Sequence, residues 1–198
     1  MNSKRSQFFL GVLIIITTIV FVVIYPPKQF QTELEIRRVY GTKIELPDSL
    51  IVKNLKENLI CTTQLGEYAT MIIWYDSIRC SLCHLNIIEK WQDFFDYNGF
   101  LKGFKPIILF TPSQDERKVF EKPLVIPDFD YPIYVDIENS FAKINPQLSR
   151  CKSQNVFLLD RNGAIVLVGS PLSNKDMWNL YDNTIQTLIT NKGLIQNN

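Results

Sequence analysis

The stretch ATMIIWYDSIRCSLCHLNIIEKW, Ala69–Trp91, decides how the chain is read. From Ala69 to Tyr75 it is a continuous apolar run closed by Asp76-Ser77, the pattern of a strand buried on both faces. Its last part sets Leu85, Ile88, Trp91 and, just beyond, Phe95 on one helical face, and Asn98-Gly99 ends that helix. Cys80 and Cys83 stand between, so a C-x-x-C pair falls where a buried strand gives way to an amphipathic helix. A helix N-terminus presents unbonded N–H groups and the positive end of the dipole, and both stabilise a thiolate. The first thiol of such a pair falls from about 8.5 to between about 3.5 and 7.5. Cys80 is therefore the candidate nucleophile, with Arg79 beside it adding positive charge. Cys83, one turn later, is within reach to attack a mixed disulfide on Cys80 and so complete thiol–disulfide exchange.

The same letters also spell C-x-x-C-H, the attachment site of a c-type haem, with His84 as axial ligand. Against haem stand the apolar strand entering the motif and a strand-rich remainder. His84 is the single histidine, so a sixth ligand would have to be a methionine such as Met71 or Met177. A c-type haem protein is thus the less favoured alternative, and His84 reads as a helix residue that, as an imidazolium, modulates the thiols. Zinc would need Cys61 and Cys151 as further ligands, and their spacing gives no support. No metal is expected, and no cofactor beyond the redox-active Cys80–Cys83 disulfide. Cys61 and Cys151 either form a structural disulfide or remain separate buried thiols.

Composition bounds the rest. A chain of 198 residues with 46% hydrophobic and 12% aromatic residues has enough apolar material for one packed domain plus an extra segment. A formal net charge of +1 without a basic run excludes nucleic acid as the expected partner. The extra segment is at the N-terminus: Lys4-Arg5 precede FFLGVLIIITTIVFVVIY, Phe8 to Tyr25, which carries no charge. That span meets the transmembrane requirement of about 17–25 residues, and no small-residue cleavage pattern follows it. The expected organisation is a cytoplasmic tail at 1–7, a transmembrane signal anchor at 8–25, a tether at 26–40 opened by Pro26-Pro27, and a folded domain at 41–198. Basic residues flank the span on both sides. The short leading tail and the use of a thiol pair place the body outside the cytoplasm, on a single-pass inner-membrane protein.

Further along, VYGTKIELPDSLIV reads as short strands and a turn, and KNLKENLICTTQLGEY is ambiguous. KPIILFTP is a second buried strand, and SQDERKVFEK a helix opened by Ser113 with acidic residues in its first turn. DYPIYVD is a third strand and ENSFAKIN a short helix. NVFLLD and AIVLVGSP flank Asn162-Gly163, a strong hairpin signal. The last helix shows Met177, Leu180, Tyr181, Ile185 and Leu188 at helical period. Alternating strands and helices predict parallel strands, and the hairpin predicts an antiparallel pair at one edge: an α/β fold with a mixed sheet.

The run MIIWYDSIRCSLCHLNIIEKW, with PIILFT, YPIYVDIENSFAKIN, VFLLDRNGAIVLVGSP and a closing helix, resembles the thioredoxin-like family. More narrowly it resembles the membrane-anchored TlpA-like and peroxiredoxin-related branch of bacteria, whose added N-terminal strand pair GTKIELPDSLIV resembles. The resemblance spans Gly41 to the C-terminus and implies a three-layer sandwich. It implies a thiol–disulfide oxidoreductase with Cys80 as nucleophile and Cys83 resolving, acting on protein thiols and disulfides and recycled by an unidentified redox partner. It also implies that the loop at Gln154 and Asn155 faces the dithiol and the substrate. Three positions depart from the family: Arg79 replaces an aromatic residue, Trp74 stands where thioredoxins carry a buried acid, and Gln154 stands where a cis-proline is usual. Asp76 is a candidate substitute for the acid. A non-catalytic binding module on the same fold is the alternative that the missing proline favours and the retained cysteines oppose.

Overall fold

The computed structural model describes residues 11, 15, 28–53, 59–76, 88–99, 101–122, 126, 129–151 and 155–194. Its strands are β1 (Ser49–Lys53), β2 (Leu59–Thr62), β3 (Ala69–Tyr75), β4 (Phe104–Phe110), β5 (Ile133–Val135), β6 (Val156–Asp160) and β7 (Ile165–Val168). They form one seven-stranded sheet in the order β2-β1-β5-β4-β3-β6-β7. β3, β4 and β5 run parallel, with Ile72 paired to Ile107 and Ile108 to Ile133. β6 is antiparallel to β3, and β7 to β6. The helices are α1 (Lys28–Val39), α2 (Gln92–Gly99) behind a 3-10 turn at Ile88–Trp91, α3 (Arg117–Phe120), α4 (Ser140–Ile144) and α5 (Lys175–Thr190).

The central strand explains the layering. Successive side chains alternate across a strand, and every residue of β3 is buried. Met71, Ile73 and Tyr75 pack with Ile88, Trp91, Phe94 and Phe95 of the first helical unit and with Tyr181, Ile185 and Leu188 of α5. Ile72 and Trp74 pack on the opposite side with Val39, Phe141, Leu148 and Cys151. Helices thus cover both faces of the sheet, and the expected mixed α/β sandwich is what forms.

The β6–β7 hairpin closes through Arg161-Asn162-Gly163. Only Gly163 takes a positive φ, of 80°, while Asn162 does not. The turn is therefore a three-residue loop with glycine in the left-handed position, and the register shifts beside Leu159. The Asp160 carboxylate accepts from the N–H groups of Asn162 and Ala164 at 2.8 and 2.9 Å. A Cβ on Gly163 would stand 2.9 Å from the Ile44 carbonyl oxygen.

Three expectations are amended. The stretch foreseen as a tether, 26–40, holds helix α1, and the C-terminal turn of that helix is docked: Val39 is fully buried and Ile36 packs on the core. The strand pair foreseen in GTKIELPDSLIV does not pair with itself. Gly41 donates to the Ile165 carbonyl and Ile44 to that of Gly163, at the β7 edge, whereas β1 lies between β2 and β5. Leu180, which the periodicity assigned to the apolar face of α5, is exposed, and half-buried Trp178 on the other flank of that face packs against the core. The predicted membrane segment, Phe8 to Tyr25, lies outside the described residues apart from Gly11 and Ile15. Among the described residues no helix is long and apolar enough to cross a membrane.

Candidate functional site

The C-terminal ends of β3 and β4 and the start of β6 meet at one edge of the sheet, where open α/β sheets bind their ligands. β3 ends at Tyr75, and Asp76 follows it. Tyr75 accepts from Trp91 Nε1 at 3.1 Å, which ties the strand end to the first turn of the helical layer, and its ring packs at 4.8 Å on Phe110 of β4. Burial lifts the Tyr75 phenol above its ordinary pKa of 10.0, outweighing the Trp91 hydrogen bond, which pulls the other way. The phenol is a neutral group here.

Trp74 points to the other face. Its indole Nε1 donates to Thr111 Oγ1 at 3.0 Å, its ring meets Phe141 edge-on at 5.2 Å, and its backbone N–H donates to the Asn155 carbonyl at 2.8 Å. The position where thioredoxins hold an acid is therefore filled by an indole whose polar atom is already bonded. Asp76 is half-buried, and its Oδ1 is enclosed without a hydrogen-bond partner among the described residues.

A cavity of about 270 Å³ opens at this edge, lined by Tyr75, Lys90, Trp91, Asn155, Ser170 and Leu172 among others. A second cleft of about 510 Å³ continues from it past Lys90 and Leu172 to Trp178 of α5. The first is near the lower limit of small-ligand pockets, about 300 Å³; it suits a side chain or a short backbone segment rather than a large cofactor. Buried Tyr181 donates its hydroxyl at 2.5 Å to the carbonyl of Gly169, the residue before Ser170 of the lining.

Of the residues singled out from sequence, Asp76 and Asn155 are brought to this edge, Asp76 just after β3 and Asn155 just before the neighbouring β6. Cys151 is buried in the second core layer with Leu148 and Phe157. Cys61 belongs to β2, opposite Leu50, on the outermost strand of the sheet. Arg79, Cys80, Cys83, His84 and Gln154 lie outside the described residues. Among the described residues no group of three histidine, cysteine or acidic side chains stands together as metal ligands. The sequence reading missed Thr111, the partner of Trp74; its only signal is a hydroxyl residue immediately after a buried strand. It also missed Lys90 and Ser170, which emerge only when separate turns meet.

No family model matches the chain, and no curated protein matches it in sequence. Solved structures resemble it at low identity over most of its length. A thioredoxin-like protein from Porphyromonas gingivalis is 21% identical with a TM-score of 0.42, over 75% of this chain and 94% of that one. The thioredoxin domain of a thiol-disulfide oxidoreductase from Bacteroides vulgatus is 15% identical with a TM-score of 0.45, over 74% and 97%. The mitochondrial 2-Cys peroxiredoxin of Plasmodium falciparum is 13% identical with a TM-score of 0.49, over 80% and 99%. The topology of this chain is α/β and thioredoxin-like: parallel β3 and β4 connected through α2, an antiparallel β6–β7 hairpin, and α5 packed back on β3.

Proposed function

We propose that the chain is a thiol–disulfide oxidoreductase that exchanges dithiol and disulfide with other proteins through Cys80 and Cys83. One observation carries this reading. The C-x-x-C pair lies in the eleven residues of sequence, 77–87, between Asp76, which follows the central buried strand, and the helical turn at Ile88. Cys80 attacks the substrate disulfide as a thiolate, and Cys83 displaces the substrate from the resulting mixed disulfide, leaving the pair oxidised. The cavity beside Tyr75, Trp91 and Asn155 would seat the chain flanking the substrate cysteine.

The apolar run from Phe8 to Tyr25, preceded by Lys4-Arg5, supports a single membrane-spanning anchor with the folded body extracytoplasmic. In that setting the substrates are extracytoplasmic proteins, and a redox partner resets the pair. The test is turnover of a model protein disulfide by the full-length chain, with a small dithiol as reductant. The expected result is catalysis that Cys80→Ala abolishes; a well-folded, reducible wild-type chain with no turnover would instead favour the binding-module reading. An impermeant thiol reagent should label the body in intact cells under reducing conditions. Labelling only after the membrane is permeabilised would reverse the orientation.

A further inference from the structure

Beside the strand edge, the turn that opens α2 and the start of α5 leave a groove between them. Lys90 and Leu172 line both the cavity of about 270 Å³ at Tyr75 and the cleft of about 510 Å³ beyond it, so the two form one channel leading away from the edge of the sheet. Pro171, Leu172 and half-buried Trp178 supply the apolar surface of the cleft, and Phe94 braces the Trp178 ring edge-on at 4.8 Å. Tyr97, one turn of α2 past Asp93, is 61% exposed with its ring 6.2 Å from Trp178, and it extends that surface. Aromatic side chains are over-represented where proteins touch, since they bury much area for few rotatable bonds. Charge lines the same cleft. Lys90 and Lys175 are exposed, come from separate elements, and have no hydrogen-bond or ion-pair partner among the described residues. Asp93 is the single acid among the described lining residues. A small ligand or cofactor is held in a pocket that encloses most of its surface, whereas an open channel with an aromatic wall and two unpaired cations suits an extended chain.

We propose that this channel binds an extended segment of the substrate protein, with an acidic residue against Lys90 and Lys175 and an aromatic side chain on Trp178, an inference that rests on the exchange function proposed above. Two features select this occupant. The unpaired lysines complement a carboxylate, and the shared lining of the two cavities gives a path that begins at the candidate site. Because Lys90 stands where the cavities join, the acidic residue falls nearer the site and the aromatic one farther along. Cysteines flanked by acidic and aromatic residues are thus the preferred substrates.

The test follows binding of a labelled peptide to the full-length chain by fluorescence anisotropy. The probe is Ser-Phe-Glu-Ser-Glu-Phe-Ser, whose symmetry makes chain direction immaterial and whose lack of cysteine separates binding from exchange; its control carries lysine in place of glutamate. One exposed charge pair is worth up to about fivefold, so with two lysines the acidic peptide should bind about tenfold tighter than the basic one, and salt should shrink the difference. Lys90→Glu combined with Lys175→Glu should reverse the preference, and Trp178→Ala, checked for folding by a thermal melt, should weaken both peptides. No binding, equal affinity for the two peptides, or a preference that survives the double charge reversal overturns the assignment. Concentration-dependent self-association that the double reversal abolishes also overturns it, giving the groove to a second copy. Charge-selective binding by a chain that turns over no protein disulfide leaves the groove standing and removes the exchange function, and turnover without charge-selective binding does the reverse.

Discussion

Replacing Asn145 tests how the N-terminal segment is locked onto the domain. Asn145 is 1% exposed and follows α4. Its Oδ1 accepts from the Glu45 N–H at 2.9 Å, and its Nδ2 donates to the carbonyls of Glu45 and Phe141 at 2.8 and 2.9 Å. It closes a loop of 100 residues and pins the segment that runs from the β7 edge towards β1. Asn145→Ala removes these three bonds, together with a long one at 3.5 Å from Gln147 Nε2, and leaves backbone groups without their Asn145 partner. At about 1 kcal/mol net for each of the three, the loss is about 3 kcal/mol. For a domain of this size that corresponds to a drop in Tm of about 6–12 °C. Denaturant unfolding followed by tryptophan emission measures the global loss, and amide exchange at Glu45 measures the local one. The reasoning fails if the variant loses less than about 1 kcal/mol. It fails equally if stability falls while exchange at Glu45 keeps the wild-type protection factor relative to global unfolding.

Other outcomes follow from the same geometry. Thr111→Val leaves the Trp74 indole N–H without its acceptor and should cost about 1–3 kcal/mol in equilibrium unfolding, where Thr111→Ser should cost less. Tyr181→Phe removes the hydrogen bond to Gly169 and should cost about 1 kcal/mol, with faster exchange in the turn at Ser170. Burial, then the Asp96 hydrogen bond and charge, push Tyr131 from 10.0 up to about 12. Because the folded pKa is the higher one, its contribution is complete below pH 10 and is lost as pH rises towards 12. Unfolding followed across that window should show falling stability, with Tyr131→Phe less sensitive; a variant that tracks wild type throughout would refute the attribution. Gly163→Ala forces a Cβ against the Ile44 carbonyl at a positive φ, so it should destabilise the β6–β7 hairpin by about 1 kcal/mol or more.

Much of the sheet was legible because its signals are local. The unbroken apolar run of β3 announces a strand buried on both faces, and Asn162-Gly163 marks the hairpin, although the glycine alone takes the left-handed conformation. The helix α1 was not legible, since it is polar along most of its length and is held at its end by Ile36 and Val39. Leu180 lies at the margin of the apolar stripe of α5, roughly 160° round the helix from Trp178, and it is the Trp178 side that the fold covers, with its ring 4.8 Å from Phe94. The bonding of Asn145 to Glu45 was invisible because a polar pair so far apart in the chain leaves no pattern. At the candidate site the strand-to-helix position of the motif could be read, and so could the oddity of Trp74. That Thr111 satisfies the indole, and that Asp76 keeps an enclosed oxygen without a partner among the described residues, depends on strands that only the fold brings together.

The central claim is exchange through Cys80 with resolution by Cys83, and trapping tests it most directly. Full-length Cys83→Ala, expressed in cells and separated under non-reducing conditions, should accumulate mixed disulfides that a reductant releases, and Cys80→Ala should accumulate none. Equal trapping by the two variants, or no trapping by Cys83→Ala, would contradict the account.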